Sequence, residues 1–118
     1  MKKQKSELTS ACRVQVQGVK DAQDLLSGKW KIIIISALYN NGKFRFMELG
    51  RHIEGIAPKV LSKELKDLEL NKLVKRTVLD TMPVTVEYEL TAEGKSLNKV
   101  VEAMAEWGIA YRNSVIKK

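Results

Sequence analysis

The apolar residues of this chain change their spacing near Asn71, from that of a helix to that of a strand. Before this point, residues 56–69 carry leucines at helical spacing, which predicts an amphipathic helix. After it, apolar and polar residues alternate over residues 84–90, which predicts a half-buried strand. Residues 73–79 are its expected antiparallel partner, with residues 80–83 as the connecting turn. The pattern predicts a mainly α fold with one β-hairpin, in the α+β class.

Three further helices are predicted in the part of the chain before residue 56. Residues 19–26 and 30–39 form the first two, and residues 46–53 form the third after an extended link at 43–45. The isoleucine run within 30–39 also fits a buried strand, but a helix is favoured because its apolar residues share one face. A short turn containing Gly55 leads into the next helix. Helix, turn, helix and then hairpin is the order of a winged helix-turn-helix domain.

The helix predicted at residues 56–69 has a second, cationic face. Pro58 suits the first helical position, and Lys59, Ser62, Lys63 and Lys66 recur at helical spacing. Lysines can neutralise phosphates and a short hydroxyl can reach base edges, which is what a helix in the major groove needs. An ordinary solvated face of an amphipathic helix explains the same pattern equally well.

The charge of the whole chain favours a polyanionic partner. Its 21 Lys and Arg against 14 Asp and Glu give a formal net charge of +7, which points to nucleic acid first and anionic membrane second. No apolar run approaches the length of a membrane span, and no signal peptide is recognised, so a cytoplasmic location is expected. Cys12 and His52 are single residues of their types, so neither a zinc site nor a disulfide framework is expected. No nucleophile and base pattern indicates an enzyme, and no cofactor is expected.

The last predicted helix, residues 92–114, is longer than so small a core requires. Thr91 is its expected N-cap. Its apolar residues follow three-and-four spacing and predict a homodimer seam, or alternatively a cover for the chain's own core. The seam consists of Leu97, Val100, Val101, Met104, Trp107, Gly108 and Tyr111. The predicted organisation is an arm at 1–18, a winged domain at 19–91, and a dimerisation helix and tail at 92–118.

The chain resembles the HxlR-type branch of the MarR-like bacterial transcription regulators. The matching motifs are LLSGKW at 25–30, RFMEL at 45–49, the helix at 56–69, LVKR at 73–76, VEYELT at 86–91 with Gly94, and the pair Trp107 and Gly108. This resemblance implies a dimeric winged helix-turn-helix protein that binds double-stranded operator DNA with the helix beginning at Pro58. In this interpretation Arg45, Lys75 and Arg76 are phosphate contacts, and a small-molecule effector is left open.

Three departures from the family pattern bear on function. Ala57 stands where members usually have an N-capping serine, and Thr85 stands where the wing usually has an arginine for the minor groove. The cysteine that many members use as a sensor would fall at Gln17, whereas the chain has Cys12. Cys12 is therefore expected to have no special role, although Arg13 beside it would favour a reactive thiolate. The alternatives to a DNA-binding regulator are a protein-interaction module for an acidic partner and a redox or electrophile sensor that uses Cys12.

Overall fold

The computed structural model describes residues 9–116, and the order of its elements is that of a winged helix-turn-helix fold. The elements are α1 (Ser10–Leu25), α2 (Lys31–Asn41), β1 (Lys43–Arg45), α3 (Phe46–His52), α4 (Pro58–Leu70), β2 (Val74–Leu79), β3 (Thr85–Leu90), α5 (Ala92–Lys95), α6 (Asn98–Tyr111) and a π-helical turn (Arg112–Ile116). The isoleucine run lies in helix α2, which ends where Gly42 adopts a φ of 92°. The predicted α3, α4 and hairpin are confirmed.

The sheet has three antiparallel strands in the order β1-β3-β2. The hairpin pairs Val74 with Leu90 at one end and Leu79 with Thr85 at the other. The segment predicted as an extended link is strand β1, whose Phe44 lies opposite Tyr88. Three residues are too few to show an alternating pattern, so only pairing with the free edge of β3 reveals this strand.

The core lies where α2, α3 and α4 meet the inner face of the sheet. Its fully buried side chains are Ile34, Ile35, Leu38, Leu49, Leu61, Leu65 and Leu68. Tyr88 and Leu90 close it from the sheet. Because three leucines of α4 are in this core, the opposite face of α4 is held toward solvent.

The predicted start of the first helix was wrong. Helix α1 begins at Ser10 rather than at residue 19, because the Thr9 hydroxyl accepts a hydrogen bond from the Cys12 amide at 3.0 Å and caps it. Residues 10–18 are therefore helical, and residues 1–8 lie outside the described residues. The division into an arm at 1–18, a winged domain and a dimerisation helix stays a prediction. None of the residues of α1 is buried, so its sequence does not show the apolar spacing of a helix that packs on a core.

The predicted single helix at residues 92–114 is also wrong in detail. Thr91 does cap it, accepting a hydrogen bond from the Gly94 amide at 3.0 Å. The chain then turns at residues 96–97, where the Leu97 amide bonds to the Gly94 carbonyl, and a second helix, α6, begins. The break directs Leu97 and Val101 onto the core. The α-helix ends at Tyr111, and Ser114 lies in the π-helical turn.

Candidate DNA-binding surface

Helix α4 presents the predicted cationic stripe to solvent. Lys59, Ser62, Lys63 and Lys66 are all exposed, while the leucines of the opposite face are buried. Pro58 occupies the first turn, and Ala57 makes no side-chain capping bond. The helix has 13 residues and therefore spans about 20 Å, enough to cross a major groove. The two faces predicted for this helix are thus separated in the structure.

A buried ion cluster joins the inner side of α4 to α2, and the sequence reasoning missed it. The Lys31 ammonium lies 2.5 Å from Glu64 Oε1 and 3.4 Å from Asp67 Oδ2. Lys31 is 6% exposed and Glu64 is 8% exposed. A signal was available, because Glu64 falls at helical spacing among the buried leucines and Lys31 directly precedes the isoleucine run. Charged residues at such positions are rarely buried unless they are paired.

Asp67 links this buried ion cluster to the exposed face of α4. The Asp67 carboxylate also lies 3.4 Å from the Lys63 ammonium, in an i,i+4 pair. Its pKa is lowered from the ordinary value of 3.8, first by the hydrogen bond from Lys63, against the opposing effect of desolvation, and then by the Lys63 charge and by the hydrogen bond and charge of Lys31. Burial lowers the pKa of Lys31, but Glu64 and Asp67 outweigh it and leave that pKa raised. One lysine of the cationic stripe is therefore coupled to a buried ion pair.

The other expected phosphate contacts are exposed and are divided between the two faces of the sheet. Arg45 precedes α3, and its amide donates to Glu48 Oε1 at 3.0 Å. Lys75 and Arg76 are consecutive residues of β2, so their side chains leave opposite faces of the sheet. Lys75 lies opposite Glu89 in the register, and Arg76 lies opposite Tyr88. The structure thus brings together the α4 residues, places Arg45 and Lys75 on one face of the sheet on either side of β3, and places Arg76 on the other face.

The wing tip carries no cation. Between Arg76 and Lys95 the sequence contains neither lysine nor arginine, and Asp80 lies at the tip. The turn is held by the Thr81 hydroxyl, which donates to the Pro83 carbonyl at 2.7 Å and lies 3.1 Å from the Thr85 hydroxyl. The wing therefore offers no arginine for the minor groove.

The expected dimer seam divides into two parts. Leu97 and Val101 pack against the chain's own core, as the alternative interpretation predicted. The rest of the seam is exposed, with Met104 at 54% and Trp107 at 68%. The rings of Trp107 and Tyr111 stack on this surface with their centroids 5.0 Å apart. Large apolar side chains left uncovered on one helix face are typical of a surface that binds another protein.

Helix α1 also exposes large apolar side chains. Its Val14, Val16 and Val19 are all more than half exposed, and Val14 reaches 71%. Cys12 is exposed with a free thiol near the start of this helix.

Within residues 9–116, no group of three or more metal-ligating side chains is found, and no helix in that range is long and apolar enough to cross a membrane. The cytoplasmic location remains a prediction.

Comparison with known proteins identifies the family. The model of the HxlR-like helix-turn-helix family matches residues 25–115. An HTH-type transcriptional regulator of Halalkalibacterium halodurans is 40% identical over 104 residues, covering 81% of this chain and 92% of that protein. The reduced form of the redox regulator HypR superposes with a TM-score of 0.78 at 35% identity, covering 86% of this chain and 99% of HypR. A MarR-family regulator structure from Porphyromonas gingivalis W83 gives a TM-score of 0.73 at 30% identity, covering 92% and 97%. The chain therefore belongs to the HxlR-like helix-turn-helix family of transcriptional regulators, not to a family of enzymes.

Proposed function

We propose that this chain acts as a homodimer that binds an inverted-repeat DNA operator through α4. The observation that carries the proposal is the exposed stripe of Lys59, Ser62, Lys63 and Lys66 on a helix whose other face is fixed in the core. Lysines neutralise phosphates and set the position of the helix on DNA, while the Ser62 hydroxyl is short enough to read a base edge. The family supports DNA as the partner.

The exposed apolar faces of α1 and α6 support the dimer. Each buried large apolar side chain stabilises an interface by about 1.5–3 kcal/mol, so covering Met104 and Trp107 with a second copy is favourable. Symmetric dimers are the commonest oligomers, and a twofold axis would place two α4 helices in successive major grooves. The operator should then contain half-sites about 34 Å apart.

The test is a titration of labelled DNA from upstream of the protein's own gene, compared with random DNA at several salt concentrations. We expect Lys63→Ala and Lys66→Ala each to weaken binding to both DNAs and to lower the salt slope by about 2, since each removes one phosphate contact per protomer. Lys95→Ala is the matched control, because Lys95 is also exposed but lies in α5. Unchanged affinity and slope in the α4 variants would make the stripe a solvated surface.

Ser62→Ala tests sequence reading separately from charge. We expect it to lower discrimination between operator and random DNA with little change in affinity for random DNA, because a hydroxyl reaches base edges only in a fitted complex. If the parent chain binds no DNA but does bind a polyanionic protein, the stripe serves an acidic protein partner instead.

Redox control by Cys12 is the second candidate function. The observation that favours it is the free, exposed thiol on α1, a helix whose apolar face belongs to the proposed dimer interface. The related HypR is a redox regulator whose structure is known in a reduced and in an oxidised form. An oxidant would join Cys12 to a partner thiol or form an adduct on it, since the chain has a single cysteine.

A further inference from the structure

We propose that Lys31 is a positioning residue for DNA recognition, which fixes the setting of α4 through its buried ion pair with Glu64 and its contact with Asp67. This inference rests on the proposed function of α4. Lys31 cannot itself touch DNA, because its side chain is buried where α2 packs against α4. The inference therefore assigns a role in operator discrimination to a buried residue.

The packing of α4 alone does not fix its position closely. Leu61, Leu65 and Leu68 make contacts that are apolar and without direction, so they set the position of the helix by shape alone. A base contact is less tolerant, because a bidentate hydrogen bond is lost when the donor moves by a fraction of its length. A directional contact would hold the exposed face in register more closely than shape alone.

The Lys31–Glu64 pair is such a contact. It joins Lys31, the first residue of α2, to the middle of α4, and Glu64 lies two residues after Ser62. Any setting of α4 that separates the two groups leaves the buried Glu64 carboxylate without the Lys31 ammonium and leaves Lys31 with Asp67 alone, which is unfavourable. The pair therefore excludes alternative settings of the helix even if its net contribution to stability is small.

Asp67 connects the buried ion pair to the exposed face of α4, which is the face proposed to contact DNA. Its carboxylate contacts Lys31 from within and Lys63 from outside, at 3.4 Å each. The Lys63 ammonium is thus directed toward the C-terminal part of α4 before DNA arrives. A phosphate must compete with Asp67 for this ammonium, so Lys63 contributes most where the DNA backbone fits the helix closely.

The test replaces the pair by apolar residues of similar size in the full chain, as the double variant Lys31→Met, Glu64→Met. Buried ion pairs exchanged in this way often leave a protein as stable or more stable, so we expect a melting temperature at or above that of the parent. We expect the ratio of random-DNA Kd to operator Kd to fall about tenfold, the size of one lost base contact. Affinity for random DNA should change by less than about twofold, since the exposed lysines remain.

The matched control is Lys95→Met, Glu93→Met, which removes one charge of each sign from exposed positions of α5. It should keep the parent's discrimination. If the Lys31 and Glu64 double variant folds and also keeps the parent's ratio, the pair is only structural and the inference is wrong.

Glu64→Gln decides the question if the double variant does not fold. Glutamine keeps the size and one acceptor for the Lys31 ammonium but removes the charge, and we expect discrimination to fall at least about threefold. Unchanged discrimination in this variant would overturn the inference. A parent chain that does not distinguish operator from random DNA would instead reject the proposed function itself, so the two failures are distinct.

Discussion

Replacing Gly94 with alanine tests how closely α5 packs against the end of the hairpin. A Cβ at this position would overlap the Leu73 carbonyl oxygen and lie 3.1 Å from Leu90 Cδ2. The Leu73 oxygen is a backbone atom that already accepts a hydrogen bond from the Thr91 amide at 3.1 Å. It cannot rotate away as a flexible side chain would, so α5 or the segment containing Leu73 must shift.

The magnitude follows from three effects. Overpacking a close contact costs about 1–3 kcal/mol, and weakening the hydrogen bond from Thr91 to Leu73 adds about 1 kcal/mol. The higher helix propensity of alanine offsets about 1 kcal/mol at most. We therefore expect Gly94→Ala to lower the free energy of unfolding by about 2 kcal/mol and the Tm by about 10 °C.

Thermal and denaturant unfolding followed by circular dichroism measure this change. All variants must be compared at one protein concentration, because association shifts the apparent Tm. Gly50→Ala is the matched control, since a Cβ there would make only an ordinary 3.6 Å contact with Leu61 Cδ2. We expect that control to be as stable as the parent or slightly more stable. A Gly94→Ala variant as stable as the control would refute the close approach of α5 to Leu73.

Three further predictions concern assembly, charge and redox control. Met104→Lys would bury an unpaired charge if α6 forms the dimer interface, so sedimentation should find monomers or unfolded chain, and an intact folded dimer would exclude α6 from the interface. The pKa of Asp67 is lowered, so its stabilising effect is present above the ordinary value of 3.8 and is lost as the pH falls through the depressed value. Acid unfolding should therefore depend less on pH in Asp67→Asn than in the parent, and identical pH profiles would contradict the ion pairs of this carboxylate. Cys12→Ser should bind operator like the parent under reducing conditions. Loss of binding after mild peroxide in the parent alone would make Cys12 a sensor, whereas equal loss in both proteins would indicate non-specific damage.

The sequence predicts best the elements whose structure depends on local periodicity. Helix α4 and strand β3 each show the spacing of their own secondary structure, and the Thr91 cap and the turn before β3 involve neighbouring residues. The burial of α4 leucines follows from the same spacing, and so does the exposure of its lysines. One face of the candidate site could therefore be derived from the sequence alone.

What the sequence does not predict depends on residues far apart in the chain. Lys31 and Glu64 are 33 residues apart, and neither position by itself shows that the other will compensate its charge. The break between α5 and α6 has a similar origin, because helical periodicity continues through it. On either side of this turn, Gly94 lies against the Leu73 carbonyl and Leu97 packs on the core, and both contacts involve residues distant in the sequence.

Helix α1 provides the strongest physical argument for a second copy of the chain. It has 16 residues and none is buried, so the core contributes little to its stability. An isolated helix of this length is marginal in water, and most helical stability in proteins comes from packing an apolar face. Among the residues that the structure describes, Val14, Val16 and Val19 remain at least half exposed, and so do Met104 and Trp107 on α6. The proposed dimer would cover these side chains, stabilise α1 and the exposed aromatic stack of α6, and hold the two α4 helices at the fixed separation that an inverted repeat requires.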